Sequence, residues 1–187
     1  MVRIETERLV LREWRDEDFA ALHALCTCPR VMATIGPLHD EERTHALLAR
    51  LQERQSRDGC TFWAVERKAD AALLGFCGIK IADTPGSPIE GEHEVGWRLR
   101  EDAWGKGYAK EAALASLRAG FETFDAPEII AITIEDNTAS WGLMERLGMQ
   151  RRPDLDFRCP EFLEEELIVY AIDRASWLAG RSVELPA

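Results

Sequence analysis

His93-Glu94-Val95-Gly96-Trp97-Arg98-Leu99, then Trp104-Gly105-Lys106-Gly107, then Tyr108-Ala109-Lys110-Glu111-Ala112 is the stretch on which the fold turns. Residues 93–99 read as a strand and Arg100–Lys106 as a loop. Tyr108–Phe124 reads as a helix, with Leu114, Leu117, Phe121 and Phe124 at helical spacing. Pro127 breaks the chain, and Ile129–Ile134 is an almost continuous apolar run, the pattern of a strand buried on both faces. Strand, helix, strand in that order is a βαβ unit, for which a right-handed crossover is expected.

The loop inside that unit carries the chemistry. Two glycines one residue apart let the backbone turn tightly and approach a ligand. The first N–H groups of a helix have no internal partner, and the helix dipole favours an anion there. Lys106 adds a positive charge. The loop therefore reads as a phosphate or pyrophosphate site made mainly of backbone amides, set against the plainer reading of a packing turn. Lys106 is followed by Gly107 rather than a hydroxyl residue, which removes the P-loop. Lys110 stands where a dinucleotide fingerprint needs a small residue, which weakens that class too. Gly96, inside the strand, reads as a bulge or a close backbone approach; a bulge there would free backbone groups beside the loop.

Outward from this core, Arg3–Trp14 reads as a first strand. Asp16 reads as a helix N-cap, with Phe19, Leu22 and Leu25 as an apolar stripe that ends before Pro29. A second helix spans His39–Arg57 and stops at Gly59. Cys60–Arg67 and Leu73–Ile81 form a predicted hairpin, followed by the breaker-rich loop 83–88. Asn137 caps a helix to about Leu147, with Gly148 at its end. Strands near Met149–Phe157 and Glu166–Ile172 follow, and Trp177–Ala187 reads as a tail. Strands outnumber helices around one βαβ core, so a single mixed sheet is expected.

The chain of 187 residues suits one domain, 1–187, with a core over about 3–172 and a C-terminal tail at 174–187. Acidic residues outnumber basic ones, 34 to 23, for a net charge of −11. That balance argues against nonspecific nucleic-acid binding and against docking on anionic membranes. It leaves a cationic substrate open beside the simpler role of keeping the protein soluble. The five cysteines are odd in number and lack zinc-site spacing, and the histidines show no metal-like pattern. They are read as reduced thiols in a cytoplasmic protein without a bound metal. The N-terminus has no signal-like apolar stretch, and no run approaches the ~18 apolar residues of a membrane span.

These residues resemble the GNAT superfamily of acetyl-CoA-dependent N-acetyltransferases. The likeness rests on Glu94-Val95-Gly96-Trp97-Arg98-Leu99, Trp104-Gly105-Lys106-Gly107-Tyr108-Ala109, Asn137-Thr138-Ala139-Ser140 and Met144-Glu145-Arg146-Leu147-Gly148-Met149. Thr6-Glu7-Arg8-Leu9-Val10-Leu11-Arg12, followed by Asp16-Glu17-Asp18, is similar to the RimJ/RimL-type branch, which includes enzymes that acetylate the N-terminal residue of ribosomal proteins. The resemblance implies an α/β (α+β) fold with a mixed, mostly antiparallel sheet, splayed parallel central strands and flanking helices. It implies acetyl-CoA as cosubstrate, with Gly105, Lys106, Gly107, Tyr108 and Ala109 around the pyrophosphate. It places the backbone of Val95, Trp97 and Leu99 on the pantetheine and acetyl groups, and Asn137 and Ser140 at the pantetheine and thioester end.

Three departures stand out. Asp102 occupies a position where the superfamily often has Gln or Arg, and is expected to point to solvent. Met144 occupies the place of a common tyrosine acid, which moves the acid role to Ser140. Cys159 also stands where this branch often has histidine. Glu94 is the first candidate for general base, with Glu92, Glu135 and Asp136 as others. The implied activity is direct acetyl transfer to a primary amine within a ternary complex, a protein N-terminal α-amine being one acceptor class. Small amines (polyamines or amino sugars) and a non-catalytic CoA-binding module are the alternatives. The oligomeric state is read as monomer or homodimer.

Overall fold

The structure, a computed structural model, describes residues 2–160 and 163–182. Its elements in chain order are strands β1 (Arg3–Glu5) and β2 (Leu9–Arg12), helices α1 (Phe19–Cys26), α2 (Pro29–Met32) and α3 (Glu41–Asp58), then β3 (Phe62–Arg67), β4 (Leu73–Ile81) and β5 (His93–Leu99). Helix α4 (Tyr108–Glu122), β6 (Glu128–Thr133), α5 (Thr138–Arg146), β7 (Gln150–Arg151), β8 (Phe157–Cys159), β9 (Leu163–Asp173) and α6 (Arg174–Ser182) complete them. The strand order is β1-β2-β3-β4-β5-β6-β9-β7, with β8 against β9. Among the described residues only β5 and β6 run parallel; the other pairings are antiparallel. This is the mixed, mostly antiparallel sheet with flanking helices that the resemblance implies.

Strand alternation sends successive side chains to opposite faces of the sheet. On one face, Cys77, Ile79, Val95, Leu99, Ile129 and Ala131 pack against Ala112, Ala113, Leu117 and Phe121 of α4. On the other, Ala64 and Phe76 pack against Leu22 and Leu25 of α1 and Leu48 and Leu51 of α3. Asp40 caps α3 by accepting from the Arg43 N–H at 2.8 Å. Arg12 and Asp18, both buried, pair through two hydrogen bonds of 2.8 and 2.9 Å and tie β2 to the turn before α1.

Several sequence expectations change, and Asp16, read as the N-cap of the first helix, lies instead in a 3-10 turn over Asp16–Asp18 that precedes α1. Arg3–Trp14 is a hairpin of β1 and β2 rather than one strand, because residues 6–8 turn out of the sheet, with the Thr6 N–H closing on the Leu9 carbonyl at 3.0 Å. The strand expected over Met149–Phe157 is interrupted at Pro153, which lacks an N–H for the ladder and opens a single 3-10 turn over Pro153–Leu155. Part of the expected tail is helix α6, anchored by Trp177, which is 7% exposed and stacks on Phe121 with ring centroids 5.6 Å apart. The rest of the tail, 183–187, lies outside the described residues.

At Gly96 the structure decides between the two readings. The β4–β5 register runs unbroken through Gly78↔Gly96, so Gly96 makes no bulge. It is a close approach: a Cβ at Gly96 would lie 2.6 Å from the Phe62 ring. That ring stacks on Phe76 at 5.7 Å with planes 3° apart. A bulge does occur in β3, between Val65 and Glu66.

Gly96→Ala is therefore expected to destabilise the fold by about 1–3 kcal/mol through overpacking. Adding Phe62→Leu should return part of that loss, read as non-additivity in urea unfolding.

Candidate functional site

The sheet opens where its two parallel strands part. β5 and β6 share only the register pairs His93↔Ile129 and Glu94↔Ile130. β5 stays paired to β4 along its whole length, and β6 to β9 from Glu128 to Thr133. The Arg100 N–H bonds the Leu74 carbonyl and the Glu92 carbonyl accepts from Ala82, both at 2.8 Å. Even-numbered backbone groups of β5 therefore face β4, and odd-numbered ones face β6. Val95 stands at the fork; Trp97 and Leu99 lie beyond it, with backbone groups directed into the gap. The Leu99 carbonyl is already taken by the Trp104 indole N–H at 2.8 Å.

Two helices begin at this gap. α4 follows β5 through the glycine loop, and Gly105 and Gly107 both adopt left-handed backbone, φ 69° and 80°. Gly107 takes the N-cap place without a capping side chain. The helical ladder starts with Glu111 N–H to the Gly107 carbonyl at 3.1 Å, which leaves the N–H groups of Tyr108, Ala109 and Lys110 outside it. Gly105, Lys106 and Gly107 are exposed, whereas Tyr108 and Ala109 are half-buried against the core. Asp102 is exposed, as expected, and bonds the Arg100 Nε at 2.5 Å.

The loop is braced from the far edge of the sheet. Arg8 donates from Nη1 to the Lys106 carbonyl at 2.9 Å and from Nε to Glu111 at 2.6 Å. Its guanidinium lies 4.6 Å from the centre of the Tyr108 ring. Glu111 also accepts from the Arg8 N–H at 2.8 Å and the Thr6 hydroxyl at 2.5 Å. Burial alone would raise the Glu111 carboxyl, but these donors hold it below the usual range, so it stays ionised. The 6–8 turn thus holds the phosphate-type loop.

α5 follows β6. Asn137 is its N-cap, and its side chain accepts from the Ser140 N–H at 3.3 Å. Ser140 is half-buried in the first turn, and its hydroxyl makes no hydrogen bond among the described residues. Met144 is 1% exposed and belongs to the core, so that position presents no acid to the gap. Glu135 and Asp136 are exposed and line a pocket with Glu165 and Glu166.

The face opposite α4 carries the other charged groups. Glu94 is buried, 5% exposed, and paired with Lys80 at 2.7 Å. Lys80 also reaches Asp83 at 3.3 Å, and Asp83 meets Arg54 at 2.5 Å. Glu94 is thus one end of a chain of alternating charges rather than a lone carboxylate. Arg98, two positions beyond Gly96 on the same face, stands above the Phe76 ring at 5.1 Å. It donates from Nη1 to the Cys26 sulfur at 3.4 Å, and its buried Nε has no partner. Burial pushes the Arg98 guanidinium down and the Cys26 thiol up. Burial, followed by the charges of Arg98, Arg43 and Arg50, also pushes the His39 imidazole down. His93, half-buried at the start of β5, is lowered by burial against the opposing charge of Glu92.

Sequence reading missed Arg8, Glu111 and Arg98 as parts of this site. Arg8 lies 98 positions before Lys106 in the loop it holds, and no local pattern joins them. Arg98 was visible only as one residue of a strand; its isolation from carboxylates arises from neighbours on α1, β4 and the segment before α3.

Comparison with known proteins agrees with this geometry. The model of the acetyltransferase (GNAT) domain matches residues 8–150. The Bacillus subtilis (strain 168) protein named YkkB is 31% identical over 148 residues, covering 79% of this chain and 84% of that one. The crystal structure of an acetyltransferase from Agrobacterium tumefaciens str. C58 superposes with a TM-score of 0.80 at 28% identity, covering 93% and 95% of the two chains. RimL, described as a ribosomal L7/L12 alpha-N-protein acetyltransferase in complex with coenzyme A, shares the fold. Its TM-score is 0.74 at 17% identity, covering 92% of this chain and 98% of its own.

Arg8→Ala should raise the Kd for acetyl-CoA about tenfold, equivalent to ~1.4 kcal/mol. Folding stability should fall by only about 1 kcal/mol, since Glu111 loses one donor but keeps the Thr6 hydroxyl and the residue-8 N–H. Isothermal titration and urea unfolding check the two halves separately.

Proposed function

The chain belongs to the GNAT family of acetyltransferases, and from that premise we propose that it transfers the acetyl group of acetyl-CoA directly to a primary amine. The observation that carries the reading is the parting of β5 and β6 between two helix N-termini. Backbone groups that would have bonded a neighbouring strand are left for an extended ligand, the mode by which peptides add to a sheet edge. Acetyl-CoA brings such a segment in pantetheine, with a pyrophosphate for the Gly105-Lys106-Gly107 loop and the starts of Tyr108 and Ala109. CoA-bound RimL, which has the same fold, supports this placement.

Transfer requires the amine nitrogen to attack the thioester carbonyl as the C–S bond breaks. The amine loses a proton and the departing thiolate gains one. In our reading the backbone N–H of Trp97, beyond the fork, meets the oxygen on which negative charge develops. Val95 and Leu99 flank it along the pantetheine, with the Leu99 N–H open because only its carbonyl is engaged. Asn137 fixes the start of α5 and so positions Ser140, whose hydroxyl donates to sulfur as charge builds. Glu94 is assigned as acceptor of the amine proton through water, with Lys80 holding its carboxylate in place. An α-amine titrates near ~7.7–8.0 and supplies its own neutral fraction at neutral pH, so a strong base is unnecessary.

A protein N-terminal α-amine and a small free amine both satisfy this chemistry. Cytoplasmic residence is part of the same reading. In the described residues, no helix is long and apolar enough to cross a membrane.

Saturable, roughly stoichiometric heat of acetyl-CoA binding, and thiol release on adding an amine, are expected. Binding without release across peptide, polyamine and amino-sugar panels would favour a non-catalytic module. Absence of binding would overturn the proposal. Ser140→Ala should lower kcat by ~5–150-fold, the equivalent of about 1–3 kcal/mol for one hydrogen bond to developing charge. Its KM for acetyl-CoA should stay within about twofold, since the residue acts mainly as the bond breaks. An unchanged kcat would remove Ser140 from the acid role.

A further inference from the structure

Phe62 and Phe76 form a two-ring apolar wall on the face opposite α4, with a cation at each end. Lys80 lies 5.9 Å from the Phe62 ring and Arg98 lies 5.1 Å from Phe76. The two ends are not equivalent. Lys80 is neutralised by Glu94 and Asp83. Arg98 meets no carboxylate among the described residues, in a chain with 34 acidic residues to draw on. Its contacts are the Phe76 ring and the Cys26 sulfur, a weak acceptor, and its Nε is buried without a partner. Arg43 and Arg50 add positive charge around His39, partly opposed by Asp40.

A guanidinium does not lose its proton inside a protein, so it remains a desolvated cation that lacks a counter-ion. It is also shaped for two parallel hydrogen bonds to a carboxylate. Arg98 lies on β5 past the fork, beside the gap, and shares its face with Glu94 about 13 Å away along the strand.

Building on the acetyltransferase reading, we propose that Arg98 determines acceptor specificity: its guanidinium binds a carboxylate that the acceptor carries close to its reacting amine. The chemical class is amino acids and their near analogues. The carboxylate meets Arg98, the amine beside it reaches Glu94 through water, and the acceptor's apolar part rests on the half-buried Phe62 ring, Phe76 being already packed in the core. The net charge of −11, which left a cationic acceptor open, gives way here to a local need for an anion.

Thiol release by the full chain with matched acceptors tests this. The pairs are L-phenylalanine against phenethylamine and L-leucine against isopentylamine. A peptide amide beginning Asp-Glu and one beginning Ala-Ala ask whether side-chain carboxylates serve instead, and spermidine represents cationic amines. The wild type is expected to favour the acid-bearing member of at least one pair by roughly 100-fold in kcat/KM. Arg98→Met should cut that preference below about tenfold by raising KM for the acid-bearing acceptor. KM for acetyl-CoA should be unchanged, and Arg98→Lys should restore part of the preference. Equal use of both members of every pair, or preference for spermidine, would overturn the assignment while leaving acetyl transfer intact. An Arg98→Met loss that fell equally on all acceptors would make the residue structural and overturn it too. Because the wild-type ratio alone tests the proposal, a variant that failed to fold would not rescue it. Failure to release thiol with any amine would instead count against the enzymatic reading on which the inference rests.

Discussion

A sheet whose backbone groups are all paired has no place for an extended ligand, and this one is opened at its parallel pair, β5 and β6. β5 is held by β4 over its full length, and β6 is held by β9 from end to end. Antiparallel bonds run straight across between strands, whereas parallel bonds are slanted and somewhat weaker per residue. Strain from sheet twist is therefore released most easily between β5 and β6, which keep two register pairs and then separate. Buried N–H and C=O groups must find partners, so the fork creates a demand that a ligand's amides can meet.

The other parts of the site follow from that opening. Each parallel strand leads into a helix, so two helix N-termini arrive at the same gap; the start of α4 has unbonded N–H groups, whereas at α5 those of Thr138 and Ser140 are already bonded. One is shaped by left-handed glycines and the other by the Asn137 cap. The 6–8 turn then fixes the glycine loop through Arg8 and Glu111. The first hairpin is a brace for the ligand loop as well as an edge of the sheet. Beyond the fork, the face turned from α4 carries charges in two arrangements. The chain Arg54–Asp83–Lys80–Glu94 balances within itself, and Arg98 does not.

Much of the scaffold was legible from pattern. Alternation and glycine placement defined β5 over His93–Leu99, and the spacing of Leu114, Leu117 and Phe121 defined α4. Asn137 was readable as a cap because a short polar side chain before an apolar stripe has few other uses. Where the pattern fell short, a residue's meaning often depended on something far away in sequence. Gly96 could be read as a bulge or a close approach, and it is small because the Phe62 ring from β3 occupies its Cβ space. The stretch at Trp177 looked like a tail because nothing local showed that Phe121 would receive its ring. Met149–Phe157 was read through Pro153 because its flanking residues favour strand.

The sequence alone determined the strand–loop–helix–strand core, the glycine loop that suits a pyrophosphate, the Asn137 and Ser140 pair at a helix start, and thereby the family. These are local features, set by backbone conformation and periodicity within a few residues. Only the tertiary structure decided the chemistry of individual side chains. It paired Glu94 with Lys80, buried Met144, recruited Arg8 from the opposite end of the sheet and left Arg98 without an acid. The physical reason is that hydrogen bonding and desolvation are set by what lies within a few ångströms in space. In this fold those neighbours come from strands and helices tens of residues apart.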